Sequence, residues 1–199
     1  VCSSDLIAGH SSGGQAVQRW SILTSSKVWP PPLLLPTPKI HAIVANPSSY
    51  VYFTPLRFLK NSWEIPSLKD DYSNCTFYNQ WEWGLDDGGK LGDVPYRKRA
   101  LSMSKSAIAE RYIHHRSVAY LIGNLDRCND SYDNPSSSKC HSHGLETTCA
   151  DNLQGKNRYE RNARYITSLR LSYDDYGNKA FGRRRRHRTG TTDRKSTRL

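Results

Sequence analysis

Three stretches of the chain place apolar residues at the spacing of an amphipathic helix. The first follows a glycine-rich turn and carries Ala16, Val17 and Trp20. The second covers residues 104–116 and carries Ile108, Ala109, Tyr112 and Ile113. The third covers residues 157–172 and carries Tyr159, Ala163, Ile166 and Leu169. Residues at these intervals share one side of a helix, so each stretch is expected to pack one face against a sheet or core.

Short apolar runs between these helices predict buried strands. Residues 39–45 form one such run, which ends at an Asn-Pro pair. Residues 118–123 form a second, continuous run of the kind found in parallel strands that are covered on both faces. Ile7 and Ala8 are a shorter apolar piece before the glycine-rich turn. Because strands and helices alternate, the sequence predicts an α/β fold with a parallel sheet.

Two segments show no regular period. Residues 21–38 contain five prolines, which exclude a regular helix or a central strand. Residues 54–99 are rich in aromatic side chains, from Phe58 to Trp83, and are expected to form an irregular, cap-like insertion. These aromatic residues either line a substrate or sugar pocket or form the small core of the insertion itself.

The two ends of the chain match each other in their coding sequence. One permitted coding of residues 1–5 has a reverse complement that encodes residues 193–197 in another frame. Complementary ends are typical of a translated sequencing adapter, so we expect residues 1–6 and 193–199 to be adapter-derived and exclude them from the fold prediction. The remainder is then a partial domain over residues 7–176 and a basic, disordered tail over residues 177–192.

Composition describes a polar protein of one-domain size. The 199 residues have a mean hydropathy of −0.74, and no apolar run approaches the ~20 residues of a membrane span. The net charge is +11, but eight of the 29 Lys and Arg residues and only one acidic residue lie from Gly182 onward. No aromatic platform or recognition fold accompanies this arginine-rich tail, so we expect a solvated tail and not a nucleic-acid partner.

Four cysteines remain once Cys2, in the adapter-like end, is set aside. They are Cys75, Cys128, Cys140 and Cys149. Their spacing lacks the close pairs of a zinc site, so we expect no metal. An even count in a loop-rich setting favours disulfides, with the last three cysteines around one loop. Asn74 and Asn129 begin glycosylation sequons. Together these features favour a secretory or extracellular compartment over free cytosolic thiols.

The candidate chemistry begins at Gly9-His10-Ser11-Ser12-Gly13, which fits the pattern G-x-S-x-G. In a nucleophile elbow of this pattern a strand turns sharply into a helix and holds a serine at the apex. Ser11 is therefore the candidate nucleophile, and the backbone N–H of Ser12 is expected to face the oxyanion that forms during attack. Gly9 and Gly13 lack a Cβ and are expected to let the strand and the helix approach each other.

Asp126 is the candidate acid that would orient a base. It lies just past the apolar run at residues 118–123. Reactive groups gather at the carboxyl ends of parallel strands, which is where both Ser11 and Asp126 are expected. The order serine, aspartate, histidine is the order that folds with a nucleophile elbow use.

Four motifs in this order resemble an α/β-hydrolase group whose members are often secreted and mostly uncharacterised. They are the elbow, residues 9–15 with 17–19; residues 44–50; residues 120–126; and residues 145–149 with 153–155, followed by 157–161. The resemblance covers residues 7–171, which would form the C-terminal part of the α/β-hydrolase sheet. It implies a serine esterase-like enzyme without a cofactor, with Ser11 as nucleophile, Ser12 as oxyanion donor and Asp126 as triad acid.

The catalytic histidine of that group has no clear counterpart. In the group it follows a last strand in a Gly-x-Gly-His-like turn, and no such turn is readable here. His187 has the right place in the order but follows four arginines, and His141 and His143 follow Asp126 too closely for another strand. The remaining histidines are interpreted as elbow, strand or helix-end residues: His10, His41, His114 and His115. The base is therefore left unassigned.

Three hypotheses about function follow. The first is a fragment of a serine hydrolase that takes a small ester-like substrate, with the histidine supplied by a C-terminal part that the chain lacks. The second is a truncated, inactive product, because a sheet without its first strands exposes an unpaired edge. The third is a binding module that uses the basic tail for nucleic acid or the aromatic segment for glycans. The oligomeric state is not predicted.

Overall fold

A computed structural model describes residues 4–24, 39–67, 74–86, 103–128 and 145–180. The strands are β1 (Ser4–His10), β2 (Lys39–Ala45), β3 (Arg57–Leu59), β4 (Ser62–Glu64) and β5 (Ser117–Leu121). The helices are α1 (Ser12–Leu23), α2 (Lys105–His115), α3 (Cys149–Asn152) and α4 (Arg158–Ala180). Strands and helices alternate in the described residues, except that β2, β3 and β4 are consecutive and α3 is followed directly by α4.

The main sheet has the order β1-β2-β5, and both strand pairs are parallel. His10 pairs with Ala45, and Ala45 pairs with Leu121, so the carboxyl ends of all three strands lie at one edge of the sheet. The predicted parallel α/β sheet is confirmed. β1 is longer than its apolar residues indicated, because residues from Ser4 onward already pair with β2 in register.

β5 is covered less than its sequence predicted. Its residues alternate between exposed and half-buried, and Leu121 is 53% exposed. Among the described residues β5 is an edge strand, and its face that carries Leu121 is exposed. The following helix, α4, also continues beyond its predicted end, so the first residues of the predicted basic tail are helical.

The aromatic insertion forms its own core where the structure describes it. Phe77 and Trp83 pack with ring centroids 5.4 Å apart, and Phe58 and Trp63 with centroids 5.6 Å apart. Buried Arg57 crosses this region and donates hydrogen bonds to the carbonyl oxygens of residues 54, 56, 78 and 83. Of the two readings of this segment, the structure favours an internal core for these aromatic residues.

A disulfide joins the insertion to α3. Cys75 and Cys149 are bonded, with their Cα atoms 5.7 Å apart. The predicted grouping of Cys149 with Cys128 and Cys140 around one loop is therefore wrong for Cys149, because α3 packs on the core that contains Cys75. Cys128 is also disulfide-bonded, and Cys140 lies outside the described residues.

The glycosylation sequons divide between described and undescribed residues. Asn74 is exposed, as a glycosylation site must be, and Asn129 lies outside the described residues.

Among the described residues, no helix is long and apolar enough to cross a membrane.

A cluster of tyrosines fills the space behind the sheet. Tyr50 stacks on Tyr165 with ring centroids 4.5 Å apart, and Tyr52 meets the same ring edge-on at 5.4 Å. The hydroxyls of Tyr112 and Tyr120 are hydrogen-bonded to each other. Burial raises the pKa of each of these phenols, because a phenolate is poorly solvated inside the protein.

We expect stability to fall above pH 10 because of these tyrosines. Burial raises the pKa of Tyr52 from 10.0 to about 12, so between these pH values the unfolded chain loses a proton that the folded chain keeps. Stability should then fall with rising pH by about 1.4 kcal/mol per pH unit for one such residue. Urea unfolding between pH 8 and 11 measures the slope. Tyr52→Phe should give a shallower slope, whereas Tyr173→Phe, at an exposed ring, should match the wild type.

Candidate active site

Ser11 occupies a strained turn between β1 and α1. Its φ of 57° and ψ of −122° lie outside the regions that non-glycine residues commonly adopt. Its N–H donates to the Ala45 carbonyl at 2.9 Å, and its own carbonyl accepts from the Gln15 N–H at 3.1 Å. Hydrogen bonds on both sides therefore hold the residue in this conformation, which is the strand–turn–helix geometry of a nucleophile elbow.

Two glycines make this turn sterically feasible. A Cβ on Gly9 would lie 2.2 Å from the Gly13 carbonyl oxygen, and a Cβ on Gly14 would lie 2.7 Å from the Ala45 carbonyl oxygen. A Cβ on Gly13 would meet nothing within 4 Å. The expected role of Gly9 is confirmed, but the expectation for Gly13 is wrong. The close approach of α1 to β2 depends on Gly14 instead.

The start of α1 provides backbone donors beside Ser11. Ser12 is exposed and is the first residue of the helix, where N–H groups have no acceptor within the helix itself. The first turn carries no acidic residue, so no side-chain carboxylate of that turn opposes the positive end of the helix dipole. An anion beside Ser11 would meet a favourable electrostatic environment.

Asp126 lies beyond β5 at the same edge of the sheet. The Asn46 N–H donates to the Leu121 carbonyl at 2.9 Å, and the Asn46 side-chain oxygen accepts from the Gly123 N–H at 2.8 Å. The Asp126 N–H closes the turn by donating to the Gly123 carbonyl at 3.1 Å. Asn46 thus connects the ends of β2 and β5, and it fixes the turn that carries Asp126.

Arg158, at the start of α4, forms an ion pair with this carboxylate. Its Nη1 lies 3.6 Å from Asp126 Oδ1, and the two side chains are only 5% and 16% exposed. Its Nη2 donates to Ser48 Oγ at 3.3 Å. Arg158 belongs to the last of the four motifs, but the sequence predicts no role for it. Nothing in the spacing of the motifs indicates that α4 returns to the end of β5.

A second polar group, also missed, lies one helical turn from Ser11. Gln15 Nε2 donates to Ser49 Oγ at 2.7 Å and to Glu146 Oε2 at 2.9 Å, and Ser49 Oγ donates to the same carboxylate oxygen at 3.0 Å. Gln15 and Ser49 are buried. These bonds hold the loop before α3 against the elbow helix.

No histidine of the described ranges hydrogen-bonds Ser11 or Asp126. His10 Nε2 lies 3.4 Å from Asn46 Nδ2, and His41 Nδ1 lies 2.8 Å from Ser117 Oγ. His114 packs against the Tyr173 ring. His141, His143 and His187 lie outside the described residues, so the base remains unassigned. The described part of the chain also contains no cluster of three side chains suited to a metal ion.

Comparison with solved structures identifies the architecture. The crystal structure of LpqC, a poly(3-hydroxybutyrate) depolymerase from Bordetella parapertussis, matches 88% of this chain with a TM-score of 0.53 and 19% identity. The chain has the α/β-hydrolase fold. It spans 40% of the length of that depolymerase.

A second α/β-hydrolase-fold protein also matches. It is poly(aspartic acid) hydrolase-1 from Sphingomonas sp. KT-1, at 20% identity and a TM-score of 0.48 over 88% of this chain and 44% of its own. No protein-family model and no curated protein sequence matches the chain. These structural neighbours are both hydrolases.

Two glycine substitutions test the packing of the elbow. Gly14→Ala should lower the free energy of unfolding by about 1–3 kcal/mol, because its Cβ would collide with the β2 backbone. Gly13→Ala, its matched control, enters open space and should be neutral or stabilising by up to about 1 kcal/mol, since alanine favours helix. Denaturant unfolding of both variants measures the difference. Equal effects would contradict the assigned role of Gly14.

Proposed function

We propose that this chain is part of a serine hydrolase that cleaves carboxylic esters. The observation that carries the proposal is the backbone of Ser11, held at positive φ between β1 and α1 with its two main-chain hydrogen bonds. Strain of this kind costs about 1–3 kcal/mol and clusters at active sites. A serine presented in this way beside the start of a helix suits nucleophilic attack on a carbonyl.

The proposed reaction proceeds through an acyl-enzyme. Ser11 Oγ attacks the ester carbonyl while a histidine accepts its proton, and the Ser12 N–H donates to the oxyanion. The histidine then gives that proton to the leaving alcohol as the C–O bond breaks. Water attacks the acyl-enzyme in the same way, which releases the acid and restores Ser11. Asp126 orients the histidine and stabilises its charged form, and the reaction requires no cofactor.

The spacing of the strands supports this division of roles. β2 separates the ends of β1 and β5, so these two strand ends, which precede Ser11 and the Asp126 turn, are about two strand spacings, or ~10 Å, apart. An imidazole with a hydrogen bond at each end fits between side chains at this separation. The histidine itself comes from outside the described residues in this proposal, and His187 is the candidate within the chain.

Two observations bear on substrate and compartment. The name of LpqC gives poly(3-hydroxybutyrate), a polyester, as the substrate of that protein, which supports an ester as the bond cleaved here. We propose a small ester-like molecule as the substrate of this chain. The Cys75–Cys149 disulfide supports a secretory or extracellular compartment, since such bonds persist where thiols are oxidised.

A specific observation favours the second candidate, that the polypeptide alone is inactive. Leu6 on β1 and Leu121 on β5 are 63% and 53% exposed, on the two edge strands of the described sheet. A groove of about 300 Å³ beside β5 is lined by residues of α2, β5 and α4, mostly apolar ones such as Val118 and Ile166, together with Arg116 and Arg170. Exposed edges and apolar surface of this kind favour aggregation.

The esterase proposal is tested on the natural full-length protein. Ser11→Ala should abolish labelling by a fluorophosphonate and hydrolysis of a p-nitrophenyl ester, because the nucleophile is lost. Asp126→Asn should lower kcat by about 10²–10⁴-fold through loss of histidine orientation. Ser12→Ala is the matched control and should stay within a few-fold of wild type, since its proposed role uses the backbone N–H. A wild-type protein that is neither labelled nor active would refute the proposal.

A further inference from the structure

The start of α4 holds the Asp126 turn through several contacts. The Tyr159 N–H donates to the Asp126 carbonyl at 3.1 Å. The Asn157 side-chain amide donates to the Arg127 carbonyl at 3.0 Å, and the Arg127 guanidinium lies 3.9 Å from the centre of the Tyr159 ring. Backbone and side chains of α4 therefore fix the position of this turn, in addition to the Arg158 ion pair.

The Arg158 guanidinium connects two strand ends. It is buried between Asp126, which follows β5, and Ser48, which follows β2. A buried cation is costly unless it is paired and hydrogen-bonded, so the guanidinium and the carboxylate hold each other in place. The ion pair joins Arg158 Nη1 to Asp126 Oδ1 at 3.6 Å.

We propose that Arg158 is a positioning residue for Asp126: its buried ion pair holds the carboxylate in the orientation that receives the histidine of the active site. This inference rests on the proposed function. It assigns a role to a buried charge that the reaction steps above do not use. The guanidinium acts through Asp126 and does not touch the substrate.

The other charged groups near Asp126 have partners of their own, and Arg158 forms the ion pair with it. Arg127, on the same turn, directs its Nε to the Asn124 carbonyl and its guanidinium face to Tyr159. Arg161, one turn along α4, donates to the carbonyls of Ser48 and Gly155. At the elbow, His10 faces Asn46. Glu146, on the loop before α3, is bound by Gln15 and Ser49.

The charge of Arg158 has a consequence that packing alone lacks. A cation beside Asp126 offsets part of the carboxylate's attraction for a positively charged imidazole. The base then loses its proton at a lower pH than it would with an unpaired aspartate. Removing the cation should therefore move the acid limb of the kcat/KM profile to higher pH, by about 0.4 to 1.7 units for charges ~7 Å apart at effective dielectric constants of about 80 to 20.

The test compares Arg158→Met, Arg158→Lys and Arg170→Met in the full-length protein, with hydrolysis of a neutral p-nitrophenyl ester from pH 5 to 9. Arg158→Met should lower kcat about 10–100-fold with KM nearly unchanged, and it should shift the acid limb upward. Arg158→Lys keeps the charge but not the planar fork, so it should retain the wild-type acid limb and lose less kcat. Arg170→Met removes an exposed charge on the same helix and should match wild type.

The outcomes separate this inference from the proposed function. Thermal unfolding of each variant identifies any that fails to fold. If Arg158→Met does not fold, the acid limb and kcat of Arg158→Lys are compared with those of the wild type instead. An active wild type whose Arg158 variants lose activity equally, with unshifted acid limbs, would assign Arg158 a purely structural role and overturn the inference. Unchanged activity in Arg158→Met would also overturn it. A wild type without esterase activity defeats the proposed function, and the inference with it.

Discussion

The site depends on a line of main-chain hydrogen bonds that continues the sheet beyond its strands. The Ser11 N–H donates to the Ala45 carbonyl, and the Asn46 N–H donates to the Leu121 carbonyl. These two bonds keep three strand ends level after the strands have ended. They place the elbow and the turn of Asp126 at the same edge of the sheet. Without this alignment, the strained backbone of Ser11 and the turn of Asp126 would not share one edge.

Beyond the end of β2, the backbone of residues 50 and 51 forms hydrogen bonds with side chains and not with another strand. The Gln154 amide receives the Tyr50 N–H and donates to the Tyr50 carbonyl, both at 2.8 Å. Gln18 Oε1 accepts the Val51 N–H at 3.0 Å. Buried backbone groups must be paired, and here two glutamines from different parts of the chain satisfy them. The apolar residues 51–53 therefore lie in the core without forming a strand.

Sequence reasoning succeeded where local pattern determines structure and failed where distant segments meet. The bounds of β2 were predicted correctly, and those of α2 within one residue at each end, because apolar spacing and the flanking turns define them. The Cys75–Cys149 pairing and the ion pair of Arg158 with Asp126 each join residues far apart in sequence. Their partners follow from how α3 and α4 return to the sheet, which no local period encodes.

The elbow and the base are independent parts of the proposed site, and this decides how the elbow should be interpreted. Gly9 and Gly14 are required by backbone contacts within β1, α1 and β2, and the strain at Ser11 is held by hydrogen bonds to the same elements. None of these contacts involves a histidine, so the elbow can form whether or not a base is present. Its geometry supports the proposal of a nucleophile at Ser11, whereas the proposed activity depends on a histidine that reaches both Ser11 and Asp126.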